Sequence, residues 1–458
     1  MKAAGRKPPF HHSLPQVLPS YKRDSMKTPS AKRFLAVPAT LFLIMAVVFP
    51  MLAEARSRKQ PKPARSGIEH IIVVMMENRS FDHLLGWLPN ADGMQEGLSY
   101  PDDSGALHPT FPLAPDYMGC SHPDPDHTWQ GGREEYDGGA MDGFLRAGSN
   151  DELAIGYYLE ADRPFFNAFA RAYTTCDGYF ASILGPTFPN RVFQHAAQTD
   201  RLDNTFEISS LPTIWDRLRE KGVSARYYYS DVSFLWLWGT KYLSISRSYE
   251  EFLADAASGH LPHVAFVDPR FLEDQTGTSG SDHPHADIRE GDAFLARTFH
   301  AVAAGPRWPK TVFIVTYDEW GGFFDHVAPP RAAAPNGVDP DIVGGKSLLG
   351  MRVPAVIASP FSRGNSDSPR VVSNAFDHTS ILKLIEWRWR LRPLTSRDAS
   401  ADVGNILDAL DFGRRNDAVP DLPLPPSPVI VPCPLVGLPG DIQGLRALGV
   451  ALGLLPPG

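Results

Sequence analysis

Residues 68–86 read IEHIIVVMMENRSFDHLLG and decide the fold of this chain. Residues 71–76 are almost wholly apolar and rich in β-branched side chains, which is typical of a strand buried on both faces of a parallel sheet. Because ligands of open α/β sheets bind beyond the carboxyl ends of the strands, Glu77 and Asn78 lie where chemistry is expected. Their oxygen atoms suit a divalent cation. The alternative is a strand end whose polar side chains simply meet water.

A second buried run, TVFIVT at residues 311–316, repeats this pattern and leads into Asp318 and Glu319. The following pair, Gly321 and Gly322, lets the backbone turn tightly beside the acidic residues. If the two strands are parallel neighbours, both polar pairs meet at one edge of the sheet. Oxygen donors that converge in this way repel one another unless a cation lies between them.

Other apolar runs predict further strands, at Ala225–Tyr229, Val264–Val267 and residues 353–357. Helical spacing of apolar residues predicts helices at residues 151–173, 212–221 and 292–303, and a last helix after Phe376. Strands that alternate with helices predict an α/β fold with a mostly parallel central sheet and helices on both faces. The composition agrees with a globular domain, since 43% of the 458 residues are hydrophobic and 21% are charged. The net charge of −8 and the lack of a basic stripe argue against a nucleic-acid partner.

The N-terminal region has the layout of a secretory signal peptide. Basic residues precede an apolar run at residues 34–52, and an Ala-x-Ala pattern ends at Ala55. We therefore expect cleavage after Ala55 and a periplasmic or secreted protein, with a permanent membrane anchor as the alternative. Translation starts at Met1 or at Met26, which gives a signal of more usual length. This divides the chain into a signal region at residues 1–55, a basic and Pro-rich linker at 56–65, a catalytic domain at 66–414 and a tail at 415–458.

The tail is rich in proline, and we expect it to lie over the domain or to be disordered. The chain has three cysteines, Cys120, Cys176 and Cys433, and export permits a disulfide. The expected pair is Cys120 with Cys176. No C-x-x-C zinc pattern is present.

Thr187 lies between Pro186 and Pro189, in a rigid turn before a helix that we expect to begin near Asn190. A hydroxyl at a helix N-terminus lies where backbone N–H groups favour an anion, so Thr187 is a candidate nucleophile for a phosphate ester. Alternatively, the threonine simply caps the helix. Two loops carry further ligand types, His127 in DPDHTW and His283 in SDHPHADIREGD. These histidines could place positive charge on phosphoryl oxygens or protonate a leaving group.

Five motifs, in order along the chain, resemble the bacterial phosphoesterase family. They are IIVVMMENRSFDHLLG, DPDHTW with EEYDGGAMDGF, ILGPTFPNR, DHPHADIREGD and TYDEWGGFFDHVAPP. That family contains phospholipases C of the non-haemolytic type and acid phosphatases. It belongs to the alkaline-phosphatase-like superfamily of metal-assisted hydrolases, whose fold is a three-layer sandwich. The resemblance covers roughly residues 66–395.

The resemblance implies a role for each matching residue. A divalent cation would be held by Glu77, Asn78, Asp318 and Glu319. Thr187 would be the nucleophile, with His127 and His283 beside the phosphate. Asn190, His285 and His326 would contact the substrate.

The implied activity is a secreted phospholipase C that forms a phospho-threonine and touches a membrane peripherally. The chain lacks the extended C-terminal β-domain of longer phospholipases C of this family, which weakens the expectation of binding at a lipid surface. One alternative is therefore a broad acid phosphatase that acts on soluble monoesters. A secreted binding protein that has lost activity is an alternative of another class.

Overall fold

The first apolar run forms strand β1, His70–Met76, in a computed structural model that describes residues 60–434 and 441–456. The predicted signal region and its cleavage site lie outside these residues. Seven further strands complete the central sheet: β2 Thr174–Cys176, β3 Ala225–Tyr229, β4 Ser246–Ser248, β5 Val264–Val267, β6 Thr311–Tyr317, β7 Ala355–Ala358 and β8 Arg370–Val372. Their order across the sheet is β8-β2-β7-β6-β1-β5-β3-β4. Only β7 runs against the others, so the predicted mostly parallel sheet is confirmed.

The α-helices of the described chain are α1 Phe81–Leu85, α2 Trp129–Tyr136, α3 Pro164–Ala172, α4 Thr187–Ala196, α5 Ile214–Lys221, α6 Tyr249–Ser258, α7 Ile288–Ala303, α8 His378–Trp389, α9 Ser396–Ala399 and α10 Asp441–Ala451. Short 3₁₀ turns are Pro63–Arg65, Asp137–Gly139, Glu152–Ile155, Glu160–Asp162, Phe234–Trp238, Asp274–Thr276, Trp308–Lys310 and Ile406–Ala409. Smaller strands pair outside the central sheet: Ser99–Pro101 with Leu107–Pro109, Phe111–Pro112 with Gly156–Tyr157, and Lys346–Leu348 with Arg331–Ala333 and Ile342–Val343. No helix in the described ranges has the length and apolar character needed to cross a bilayer.

Helices cover both faces of the sheet. On β6, the Phe313 ring packs against Phe169 of α3 and Phe299 of α7. On β5, the Phe266 ring packs against His195 of α4. Phe313 pairs with Ile72 of β1 and Phe266 with the next residue, Val73, so the two rings point to opposite faces. Helices α3 and α7 therefore lie on one face and α4 on the other, as expected for a three-layer sandwich.

The helix predicted for residues 151–173 is wrong in its first half. That part of the chain forms a 3₁₀ turn and a two-residue strand ending at Tyr157, and α3 begins only at Pro164. A proline fits the first position of a helix but not its interior, which explains why α3 cannot extend further back.

The predicted disulfide between Cys120 and Cys176 is also wrong, because Cys120 is bonded to Cys433. Cys176 ends β2 with its side chain fully buried in the hydrophobic core, so it does not reach the surface loop that carries Cys120. Burial raises the pKa of the Cys176 thiol, which keeps it protonated and unreactive. The correct partner lies in the Pro-rich tail, where the backbone N–H of Cys433 also donates to the Thr276 carbonyl oxygen at 2.9 Å.

Replacing both Cys120 and Cys433 by alanine should lower the free energy of unfolding by about 2–4 kcal/mol, since the bond closes a long loop in the unfolded chain. The measurement is the thermal midpoint by calorimetry under oxidising conditions. Reductant should lower the midpoint of the wild-type protein and leave that of the double variant where it is. Equal midpoints for the two proteins without reductant would contradict a stabilising role.

Candidate active site

The two polar pairs meet at the carboxyl ends of β1 and β6. These strands are parallel neighbours, paired from His70 with Thr311 to Met76 with Tyr317. The backbone N–H of Asn78 donates to Asp318 Oδ1 at 3.1 Å, which joins the pairs directly. The side chains of Glu77, Asn78, Asp318 and Glu319 are all fully buried. The structure therefore brings together the four residues that the sequence indicated as cation ligands.

The glycine turn after β6 is required by close approach to this edge. Gly321 adopts φ +66°, and a Cβ atom there would lie 2.1 Å from the carbonyl oxygen of Asn78. Its backbone N–H donates to Glu319 Oε2 at 2.6 Å. The turn thus holds one oxygen of Glu319 and leaves the other, Oε1, turned toward the site.

Thr187 is the first residue of α4, three positions before the start expected from the sequence. The N-cap position is Pro186, and no side chain caps this helix. The Thr187 hydroxyl instead donates to Asn78 Oδ1 at 3.3 Å. The alternative role of Thr187 as a helix cap is therefore wrong, and its oxygen lies against the strand-end residues.

Arg191 is a central residue that the sequence reasoning missed. It lies one turn after Thr187 on the same face of α4 and is buried. Its Nε lies 3.0 Å from Asp318 Oδ2, its Nη1 3.3 Å from Asp268 Oδ1 and its Nη2 3.5 Å from Glu77 Oε1. One guanidinium thus joins acidic residues that follow three adjacent strands, β5, β1 and β6. In the sequence, the only indication of this cluster was Asp268, which directly follows the predicted strand Val264–Val267.

A single arginine does not balance the negative charge at this edge. Burial raises the pKa of Glu77 well above its usual range and that of Glu319 to about 8. Arg191 opposes the shift at Glu77 and His127 opposes the shift at Glu319, while Asp318 adds to both. Both carboxylate oxygens of Glu77 and Oε1 of Glu319 are buried without a hydrogen bond among the described residues. Buried carboxylate oxygens that accept no hydrogen bond fit a bound cation, so the residues present fit a metal.

Two other groups place potential ligand atoms within 4.8 Å of one another, Asp124 with His127 and His283, and Asp82 with Asp325 and His326. In the second group, Arg352 lies 3.1 Å from Asp82 Oδ1 and 2.9 Å from Asp325 Oδ1. His326 donates from its backbone to Asp82 Oδ2 at 2.9 Å. The positive charge of Arg352 thus already balances carboxylates of this second group. His326 belongs to this group and does not lie with the strand-end residues Glu77, Asn78, Asp318 and Glu319.

His127 and His283 lie next to each other, with their ring centroids 5.7 Å apart. His127 Nε2 is 3.3 Å from Asn78 Nδ2 and 3.9 Å from Glu319 Oε1. Its Nδ1 lies 2.7 Å from the Pro125 carbonyl oxygen, which can only accept, so Nδ1 carries the proton in this bond. His283 Nε2 faces Asp124 Oδ2 at 3.8 Å.

A cavity of about 870 Å³ opens above these residues. Thr187, His127, His283 and His285 all line it. His285 is held by a hydrogen bond of 2.9 Å from its Nε2 to the His122 carbonyl oxygen. Four of the residues indicated by the sequence as nucleophile, active-site histidine or substrate contact therefore share one cavity.

Asn190 does not line this cavity among the described residues. Its amide nitrogen donates to the carbonyl oxygen of Gly185 at 2.8 Å, and its Oδ1 accepts from Ile183 N at 3.1 Å. These bonds hold the backbone of the turn that leads into Thr187. Asn190 therefore positions Thr187 through that backbone and not by a side-chain contact.

Asp274 lines the cavity and was missed from the sequence. Its Oδ1 accepts from the Ser281 hydroxyl at 2.8 Å, while Oδ2 is buried without a hydrogen bond among the described residues. Burial raises its pKa to about 6, and His283 opposes this shift. It lies in the loop after β5, where no strand-end pattern marks it.

The chain is similar to known phosphoesterases. Residues 68–392 match the model of the phosphoesterase family. The sequence is 32% identical to phospholipase C A of Mycobacterium tuberculosis over 421 residues, which covers 75% of this chain and 77% of the relative. It is 30% identical to non-specific phospholipase C1 of Arabidopsis thaliana, over 81% of this chain and 76% of the relative. A solved protein of the alkaline phosphatase superfamily from Vibrio parahaemolyticus aligns with 76% of this chain and 71% of its own, with a TM-score of 0.36 and 11% identity.

Proposed function

The chain belongs to the phosphoesterase family and hydrolyses phosphoric esters, and we propose that it is a phospholipase C that releases diacylglycerol and the phosphorylated head group. The observation that carries this proposal is the position of the Thr187 hydroxyl. Its Oγ1 lies 3.3 Å from Asn78 Oδ1, and Thr187 lines a cavity of about 870 Å³. Cavities of this size hold whole small-molecule ligands, which leaves room for a head group and the glycerol unit on either side of the phosphate.

The proposed reaction has two displacements at phosphorus. Thr187 Oγ1 forms a bond to phosphorus while the bond to the diacylglycerol oxygen breaks, which leaves a phosphodiester between Thr187 and the head-group alcohol. Water then attacks this phosphorus, the bond to Thr187 Oγ1 breaks, a proton of the water passes to Oγ1, and the phosphorylated head group leaves. His127 and His283 line the same cavity. In the first step these histidines accept the proton that Thr187 Oγ1 loses and pass it to the departing diacylglycerol oxygen, so their own protonation is unchanged when the step ends.

Glu77, Asn78, Asp318 and Glu319 would hold a divalent cation next to Thr187. That cation would supply positive charge to the phosphoryl oxygens and lower the pKa of the threonine hydroxyl. Three oxygens of Glu77 and Glu319 are buried without a hydrogen bond among the described residues, which supports this assignment. We also propose that the protein is exported and acts in the periplasm or outside the cell, in peripheral contact with a membrane.

A paired assay tests this function. The protein should cleave p-nitrophenylphosphorylcholine and release diacylglycerol from phosphatidylcholine in mixed micelles, with p-nitrophenyl phosphate as the monoester for comparison. Turnover of the monoester alone would favour an acid phosphatase. No turnover of any ester across a series of divalent metals would favour a binding protein that has lost activity.

A further inference from the structure

We propose that the C-terminal segment forms a binding surface for the apolar alcohol of the substrate, the acylglycerol part of a lipid. The surface, which we call the tail wall, consists of Cys433, Pro434, Ile442 and Gln443, all of which line the cavity that contains Thr187. This inference rests on the proposed function, because it assigns one side of the same cavity to one part of the substrate.

The tail wall differs in chemistry from the floor of the cavity. The floor carries Thr187, His127 and His283, which suit a phosphate group. Three of the four tail-wall residues are apolar, namely Pro434, Ile442 and the disulfide-bonded Cys433, while Gln443 is polar. Phe271 adds an aromatic residue to the lining of the same cavity. Burying hydrocarbon against an apolar surface of this kind is favourable, whereas burying a charged head group there is unfavourable.

The tail wall is fixed in place from both of its parts. Cys433 is bonded to Cys120, and its backbone donates to Thr276 at 2.9 Å. Ile442 lies at the start of α10, whose Leu445 is fully buried in the main hydrophobic core. Helix α10 also packs closely on an aromatic ring, since a Cβ atom at Gly444 would lie 2.1 Å from the ring of Phe206. A surface held in this way can select between substrates without a prior conformational change.

Pro434 allows a test that leaves the fold intact, because it is exposed while lining the cavity. The change Pro434→Asp adds a carboxylate where the hydrocarbon would lie. The matched control is Val431→Asp, which adds the same charge to the same tail at a side chain that is 78% exposed and lies outside the cavity lining. Two phosphocholine diesters that differ only in their alcohol are compared, dihexanoylphosphatidylcholine below its micelle concentration and p-nitrophenylphosphorylcholine.

We expect Pro434→Asp to lower the ratio of kcat/KM for the lipid to kcat/KM for the nitrophenyl ester by about tenfold or more, mainly through KM. Val431→Asp should keep the wild-type ratio. The proposed role of the tail wall would be overturned if Pro434→Asp changed this ratio by less than about threefold, or if both variants changed it equally. The threshold follows because the loss of one well-placed contact typically changes the ratio by about tenfold.

Failure of the proposed function would look different. In that case the wild-type protein would cleave neither diester, and the same variants would be compared on octyl phosphate and glycerol phosphate. A selective loss on octyl phosphate would support the tail wall in a monoesterase. Equal losses on both monoesters would overturn it.

Discussion

Replacing Thr187 by valine is expected to lower kcat on a phosphate ester by about three to six decades, because it removes the attacking oxygen and with it the covalent route. Valine keeps the shape and the β-branch of threonine. The hydroxyl does not cap α4, since the N-cap is Pro186, so the fold should survive the change. Thr187→Ser keeps an oxygen and should retain measurable turnover.

A matched control for this prediction is Thr395→Val. The Thr395 hydroxyl accepts a hydrogen bond of 3.1 Å from Arg397 N and caps α9. Its loss should cost about 0.5–2 kcal/mol of stability and leave kcat where it is. Steady-state kinetics and a melting curve for each variant separate the two roles. If Thr187→Val kept a near wild-type kcat, the attacking group would have to be another nucleophile, such as a water molecule.

Asp318→Asn and Glu77→Gln are expected to remove a bound divalent cation and to lower activity by about a hundredfold or more, because each replaces a carboxylate oxygen by a weak amide ligand. Metal content by mass spectrometry is the primary measurement, and it does not depend on activity. Each change also removes one carboxylate from the set around Arg191, so circular dichroism should accompany it.

The control for the metal prediction is Asp402→Asn. Asp402 lies at the surface, 2.6 Å from Lys346 Nζ, and a pair of this kind contributes little to stability. It should retain the wild-type metal content and activity. If both Asp318→Asn and Glu77→Gln bound as much metal as the wild-type protein, the strand-end carboxylates would not be the metal ligands.

The strands that can be predicted from the sequence are those marked by a continuous apolar run of neighbouring residues. Residues 71–76 and 311–316 are long apolar runs, and β1 and β6 follow them closely. Strand β2, Thr174–Cys176, is three residues long and begins with two threonines, so no periodicity marks it. Its place in the sheet comes from pairing with β7 and β8, which lie far away in sequence.

The same contrast holds for the site. Glu77 and Asp318 could be found because a polar pair directly after a buried strand is visible in the sequence. Arg191 could not, because the carboxylates that it contacts follow three strands that only the folded sheet brings together. Cys433 lies 313 residues from its partner Cys120, and its pairing follows from the path of the tail.

The disulfide between Cys120 and Cys433 also orders events during biosynthesis. A ribosome makes the chain from its N-terminus, so Cys433 follows all eight strands of the central sheet. The disulfide beside the cavity can therefore form only after Thr187, His127 and His283, which line the same cavity, have been translated. A nascent chain that has folded its sheet therefore still lacks this bond, and forming the bond requires oxidising conditions.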